Sequence, residues 1–243
     1  PVLMSVFISL LLFFEPPLPV ELLPGVRVAD GIVEFDGEIA VDAHHPDTPD
    51  VYLEMFVTAP DSREHESLVV AKIKPSNLHA ALLAAGFEAG EPLTRDAAGG
   101  TVKAHGDALI VLVAIETAAE DEPAFIPITD WVMNRDDETG IVESERWEGF
   151  VFAGSKFTKR GYEADGAGTL VSLTSFSNEV IAPVWTLSHL AEVDEPVWIA
   201  NRDLLPKKGE RVIVRIVAEE WAETDADDES SHEPERVDID RDL

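Results

Sequence analysis

The chain contains no cysteine. This absence excludes disulfide bonds, thiolate zinc sites, cysteine nucleophiles and cysteine-ligated iron–sulfur clusters among its 243 residues. A redox role would therefore need a partner that carries the electrons.

Positive charge is scarce as well. The chain has 18 Lys and Arg against 48 Asp and Glu, for a formal net charge of -30. A surface of this sign repels the phosphate backbone of nucleic acids and anionic membranes, so neither is an expected partner. An acidic excess also keeps a protein soluble in concentrated salt, and we favour salt adaptation over an acidic binding function as its cause.

Hydrophobic residues make up 45% of the chain, with a mean hydropathy of +0.01. This is enough apolar surface for one folded domain, which we place at residues 25–217. Residues 218–243 carry twelve Asp and Glu against two Arg, which predicts a solvated, disordered tail.

Residues 1–24 differ from the rest of the chain. Residues 2–14, VLMSVFISLLLFF, form an apolar run that is shorter than the ~20 residues needed to span a bilayer and about as long as the core of a secretory signal. We therefore expect an exported protein of the periplasm or cell envelope, with membrane contact only through this segment. The alternative is a buried first strand or helix. Four prolines in residues 15–24 predict an irregular linker.

Strand patterns dominate the domain. Short β-branched runs at residues 26–28, 32–35 and 38–41 are separated by Asp-Gly dipeptides, which predicts a β-meander. Residues 51–57 alternate as a half-buried strand does, and residues 64–73 alternate less cleanly. The apolar run 108–115 predicts a central strand covered on both faces. Further strands are expected at residues 126–133, 149–153, 169–173, 180–184, 197–200 and 211–217.

One segment predicts a helix. A proline and two N-cap residues at 75–77 precede apolar residues at helical spacing, and Gly86 favours termination. The predicted fold class is α+β and mostly β, with about ten short strands in antiparallel or mixed sheets. One short helix, at about residues 76–85, packs on a face of these sheets.

The loop before residue 51 concentrates side chains that bind metals. Its imidazole and carboxylate groups suit a divalent ion, the only cofactor that the residues suggest, but the loop lacks the spacing of an EF-hand or an H-E-x-x-H helix. A metal site and a solvated acidic loop are the alternatives. The candidate ligands are Asp42, His44, His45, Asp47 and Asp50.

A second candidate site lies at the start of the predicted strand 64–73. On a strand, Glu64 and Glu66 would share one face while His65 faced apolar neighbours on the other, which favours a partly buried structural histidine over a general base. His79 borders the apolar stripe of the predicted helix. If His79 met His65 across the strand–helix junction, the two imidazoles and a glutamate would form a catalytic or metal site.

Ser155 and Lys156 form the third candidate. They follow the predicted strand 149–153 within the sequence Gly-Ser-Lys-Phe, where a glycine lets the backbone approach a ligand and a Ser-Lys pair binds an anion or activates a hydroxyl. The same residues suit an ordinary hairpin turn. They lack the surroundings of a nucleophile elbow or a phosphate-binding loop.

A resemblance rests on six segments: LPGVRV, VYLEMFV, REHESLVVAKIKPSNLHAALLAAGFEAGEP, FVFAGSKF, the YEADG that follows it, and TLVSLTSF. Together they are similar to the YdjY-like family, over residues 23–217. The resemblance implies a bacterial protein, because the family has many planctomycete members, and an exported one, because its members are usually predicted to be exported. It brings no established catalytic residues. Some relatives are linked to ferredoxin-type proteins, but a chain without cysteine has no such cluster ligands.

Three function hypotheses remain open. The first is a non-catalytic binding or interaction module of the envelope, whose partner is an envelope protein or a small ligand; it rests on the missing nucleophile triad, phosphate loop and cofactor motif. The second is a metal-dependent hydrolase that uses His65, His79 and Glu64, or else the histidines at 44 and 45. The third is an accessory of an envelope electron-transfer system, which only the family link implies.

Overall fold

The computed structural model describes residues 18–45, 49–116 and 123–219. The apolar segment at residues 2–14 lies outside these ranges, as do Asp47 and nearly all of the predicted acidic tail. No helix within the described ranges is long and apolar enough to cross a membrane.

The described ranges contain seventeen strands and two α-helices. The strands are β1 (Val20–Leu23), β2 (Val26–Ala29), β3 (Ile32–Ile39), β4 (Met55–Thr58), β5 (Ser67–Val70), β6 (Thr94–Arg95), β7 (Thr101–Val102), β8 (Ala108–Ile115), β9 (Ile126–Pro127), β10 (Val132–Asn134), β11 (Phe150–Phe152), β12 (Phe157–Thr158), β13 (Gly161–Tyr162), β14 (Thr169–Ser172), β15 (Ile181–Pro183), β16 (Trp198–Ala200) and β17 (Arg211–Ala218). The helices are α1 (Pro75–Ala84) and α2 (Glu163–Ala167), and single 3-10 turns occupy Glu64–Glu66, Ile128–Trp131 and Ile141–Glu143.

Eight strands pair into a closed ring. β3 pairs with β17, the order continues through β8, β11, β15, β14, β4 and β5, and β5 pairs back to β3. β1 and β2 extend the sheet from β3, and β9 pairs with β8. Most pairings are antiparallel, whereas β14–β15 and β4–β5 are parallel. The predicted α+β, mostly β class with a mixed sheet is therefore confirmed.

Strands β8 and β17 bury one face in the core, whereas every residue of β4, β11, β14 and β15 is buried. In β8, Leu109, Val111 and Val113 are buried while Ile110 and Leu112 are partly exposed. The prediction that residues 108–115 are covered on both faces is therefore wrong, because the second face of β8 keeps partial contact with solvent. The large side chains that are fully buried include Phe35, Phe56, Phe152, Leu68 and Leu170.

Helix α1 begins one residue before its predicted start and packs against β2, β3 and β14. Its buried residues include Leu78, Ala81 and Leu82. Its N-terminus is capped from elsewhere in the chain, because the Ser76 backbone N–H and Oγ donate to the two Asp165 carboxylate oxygens at 2.7 and 2.8 Å. The sequence patterns had predicted a single helix, so α2 is an addition.

The predicted meander is wrong at its second turn. β3 continues through Asp36 and Gly37, and a Cβ atom at Gly37 would lie 2.4 Å from Val69 Cγ1 of β5. This glycine therefore gives Val69 of the neighbouring strand β5 room to pack against β3. The prediction of an irregular linker at residues 15–24 is also wrong in part. Its residues Val20–Leu23 form β1, which pairs with β2.

Two predicted strands are shorter than the alternation indicated. The stretch 51–57 becomes strand only at Met55, preceded by a single bridge between Tyr52 and Ile199. The stretch 126–133 is interrupted by the 3-10 turn at Ile128–Trp131. In both places tertiary packing overrides the local pattern.

Candidate functional site

Two glutamates meet where β4 and β5 begin. Glu54 immediately precedes β4 and Glu66 immediately precedes β5, and these strands are parallel neighbours with Met55 opposite Ser67. Parallel strands start at the same edge of a sheet, so the two preceding residues are brought together. The Glu54 backbone N–H donates to the Glu66 carbonyl oxygen at 2.9 Å, which fixes both backbones.

Arg63 links the two carboxylates. Its Nη1 lies 2.6 Å from Glu54 Oε2 and 3.7 Å from Glu66 Oε2. The guanidinium also lies 4.3 Å from the centre of the Phe176 ring, and that ring stacks on His189 with their centres 4.7 Å apart. The arginine is therefore held by charge on one side and by an aromatic face on the other.

The Glu54 carboxyl has a perturbed pKa. Burial, with the negative charge of Glu66 as a second cause, raises the pKa of Glu54 from its ordinary 4.5 to about 7, and Arg63 opposes the shift. The Glu66 side chain therefore favours the protonated form of Glu54 both by its charge and as a hydrogen-bond acceptor. Near neutral pH the Glu54 carboxyl therefore gains or loses its proton readily.

A cavity of about 230 Å³ opens beside the pair. Its wall combines carboxylates, hydroxyl groups, one histidine and a larger apolar and aromatic part. A depression of about 310 Å³ beside β3 is larger, but its Lys72 and Glu38 side chains pair with each other. The cavity beside the glutamates is lined by Tyr52, Leu53, Glu54, Glu66, Thr174, Leu187, Ser188, His189, Ala191, Asp194, Glu195, Pro196, Val197 and Trp198.

A family model for the YdjY domain matches residues 26–217. The chain belongs to the YdjY family. The match spans every residue that lines the cavity, so the cavity lies within the matched region of this chain. Searches of curated proteins and of solved structures found no match to the chain.

The residues Glu64, His65 and Glu66 form a 3-10 turn in the YdjY domain instead of the predicted strand. Their predicted division between two faces is therefore wrong, since strand alternation does not apply to a turn. Glu64 accepts a hydrogen bond from the Asp61 backbone N–H at 2.9 Å. The His65 side chain is 76% exposed, which corrects the prediction of a partly buried histidine. Of the three residues, Glu66 alone lines the cavity.

His79 occupies a different environment on α1. Its Nδ1 lies 3.0 Å from the Gly154 carbonyl oxygen and 2.9 Å from the Tyr162 hydroxyl, and its ring packs edge-on against Phe152. Burial lowers the pKa of His79, so the imidazole is neutral and its Nδ1–H donates to the carbonyl. The predicted meeting of His79 with His65 does not occur, and no group of three His, Asp or Glu in the described ranges is placed to hold a metal ion.

Ser155 and Lys156 lie near His79 in the turn after β11, where Gly154 and Ser155 have φ values of +79° and +52°. Ser155 Oγ donates to the Asn178 carbonyl oxygen at 2.5 Å and accepts from the Ala164 backbone N–H at 3.2 Å. Both contacts are structural, because they tie the turn to α2 and to the loop before β15. The charge of Lys156 favours ionisation of Glu179, a fully buried carboxyl whose pKa is raised by burial.

Three of the described candidate ligands of the predicted metal loop, Asp42, His44 and Asp50, make other contacts. Asp42 Oδ1 accepts the backbone N–H groups of His44 and His45 at 3.2 Å, and His44 Nε2 lies 2.8 Å from the Leu205 carbonyl oxygen. Asp50 pairs with Arg202 and with Arg135. Asp47 lies outside the described residues, so the loop is not seen as a whole.

Sequence patterns missed Glu54 and His189 as site residues. Glu54 is the one charged residue in the apolar stretch VYLEMFV. A single charge among apolar residues was the feature of the sequence that could have indicated a site residue. Glu54 meets Glu66 because β4 and β5 pair in parallel. The alternation of residues within one segment does not predict which other segment pairs with it. His189 has no local motif, and stacking on Phe176 together with a 3.2 Å contact of its Nδ1 to the Ser175 carbonyl oxygen places it in the wall.

Proposed function

We propose that the YdjY domain of this chain is a non-catalytic binding module of the cell envelope that takes a small organic cation in the cavity beside Glu54 and Glu66. The observation that carries the proposal is the convergence of two carboxylates on one arginine. When both carboxylates are ionised, Arg63 balances only one of them. A second cation at the cavity wall would supply the missing charge.

The composition of the wall supports an organic cation over a bare metal ion. Leu53, Leu187, Val197 and Trp198 offer apolar and aromatic surface of the kind that buries a hydrocarbon body. Arg63 Nη1 already occupies one carboxylate oxygen of Glu54, at 2.6 Å. The cavity is smaller than the ~300–1,000 Å³ of typical drug-binding sites, which favours a ligand of metabolite size.

The envelope location rests on the sequence. Residues 2–14 have the length and composition of a secretory signal core, and the family resemblance also implies export. Fractionation of cells that produce the full chain tests the location. Recovery of the protein in the cytoplasmic fraction would contradict it.

Calorimetric titration tests the binding proposal with phenethylamine as the probe and 2-phenylethanol as its uncharged analogue. We expect the amine to bind at least ~10-fold more tightly than the alcohol, because only the ammonium pairs with the carboxylates. Glu66→Gln should remove this preference, and Glu116→Gln, in an exposed ion pair with Arg211, should retain it. Equal affinity for amine and alcohol would contradict the proposal.

A further inference from the structure

A basic hairpin projects from this acidic protein. Residues 156–162, KFTKRGY, contain the hairpin of β12 and β13, with Phe157 opposite Tyr162 and Thr158 opposite Gly161. Lys159 and Arg160 lie exposed at its tip, and Phe157 is 76% exposed. The hairpin shares no residue with the cavity beside Glu54 and Glu66.

The hairpin concentrates unpaired positive charge. Most other Lys and Arg in the described ranges form ion pairs, as Arg27, Arg63 and Arg215 do. Within the described part of the chain, neither Lys159 nor Arg160 forms an ion pair with a carboxylate. Lys156 interacts with the Glu179 carboxyl by long-range electrostatic attraction without a direct ion pair. On a chain of net charge -30, such a surface attracts an acidic segment.

The chain contains a segment of that kind. Residues 220–243 hold eleven Asp and Glu against two Arg, and they also carry Trp221 and Ile239 as apolar groups. These residues directly follow β17. At the end of β17, Asp30, Asp107 and Glu219 line the neighbouring depression, so the segment finds no positive partner there.

The topology puts β17 and the hairpin at the same end of the ring. Ala218 of β17 and Phe150 of β11 both pair with Leu109 of β8, and both strands are antiparallel to β8. β17 and β11 therefore run in the same direction, two strand spacings or ~10 Å apart. The hairpin begins five residues after Phe152. A segment of 24 residues reaches up to ~80 Å, which is ample for this path.

We propose that residues 220–243 dock on the basic hairpin of the same chain. The acidic side chains pair with Lys156, Lys159 and Arg160, and an apolar side chain of the segment covers Phe157. Charge complementarity, the shared end of the ring and the exposed aromatic ring are three separate observations that agree on this arrangement.

Zero-length carbodiimide cross-linking of the full chain tests the docking, since it joins a lysine only to a carboxylate in direct contact. An equal mixture of light and isotopically labelled chains distinguishes links within one chain from links between two. We expect links from residues 220–243 to Lys156 or Lys159 within one chain, at least ~5-fold above links to Lys207 and Lys208. These last two lysines precede β17 and so lie at the opposite end of the ring.

A charge variant and added salt provide the control. Arg160→Glu keeps both hairpin lysines available and should lower their cross-linking at least ~3-fold, whereas Arg95→Glu, an exposed residue of β6, should not change it. Raising the salt to ~1 M, where screening acts within ~3 Å, should also lower it. Links found equally at Lys207 and Lys208, links found only between light and labelled chains, or no hairpin links at all would each overturn the proposal.

Discussion

Glu54→Gln should change how the stability of the protein depends on pH. Burial and the neighbouring Glu66 raise the pKa of Glu54 from 4.5 to about 7. The unfolded chain releases this proton near pH 4.5 and the folded chain holds it up to about pH 7, so the folded state binds more protons between these values. The free energy of unfolding of the native protein therefore falls as the pH rises through this window.

The size of the effect follows from the shift and the exposure of the group. A pKa change from 4.5 to about 7 corresponds to at most ~3.4 kcal/mol. The Glu54 side chain keeps 19% of its surface exposed and Arg63 partly compensates its charge, so solvent screening reduces our expectation to ~1–2 kcal/mol.

Urea unfolding at several pH values between about 5 and 8 measures this effect. The free energy of unfolding of Glu54→Gln, relative to the native protein, should rise by ~1–2 kcal/mol across the range. Glu116→Gln removes a carboxylate from the exposed ion pair with Arg211. Its free energy of unfolding, relative to the native protein, should change by less than ~0.5 kcal/mol across the same pH range. A difference for Glu54→Gln that does not vary with pH would refute the raised pKa.

Three further changes test the packing that holds the domain together. His79→Ala removes the hydrogen bond to Gly154 and the contact with Phe152, and should lower the free energy of unfolding measured in urea by ~2–3 kcal/mol. His65→Ala, at an exposed position, should lower it by less than ~0.5 kcal/mol. Equal losses of stability would show that His79 does not support the turn. Asp165→Ala removes both hydrogen bonds to Ser76 and should cost ~1 kcal/mol in the same assay, so an unchanged stability would mean that the cap is dispensable. Gly37→Ala places a methyl group against Val69 and should cost ~1–3 kcal/mol, part of which Val69→Ala should recover in a double-mutant cycle; purely additive effects would show that space is not the cause.

Local sequence patterns predicted the elements that local interactions determine. The strands 108–115 and 211–217 have runs of β-branched residues, and the structure places β8 and β17 there with bounds that agree to within one residue. The helix at 76–85 was predicted because its apolar spacing and its flanking proline and glycine lie within one short stretch. Its capping carboxylate, Asp165, lies 89 residues from Ser76 and could not be read from that stretch.

The candidate site depends on contacts between distant segments. Glu66 was among the predicted site residues, but its partner Glu54 was hidden in a predicted strand, where alternation assigned it only a face. The parallel pairing of β4 with β5 decides that the two carboxylates meet. Asp36 and Gly37 illustrate the opposite error. An Asp-Gly dipeptide predicts a turn. Here, however, Gly37 lies inside β3, and its lack of a side chain makes room for the Val69 side chain of β5.

The order in which the ring can close has a consequence for biosynthesis. β17 pairs along its whole length with β3 and β8, and it is the last strand of the described chain. Until it leaves the ribosome, β3 and β8 each lack one neighbour and present an open edge to other nascent chains. Contacts of such high sequence separation also form slowly. A product cut before residue 211 should therefore aggregate instead of folding into a smaller domain.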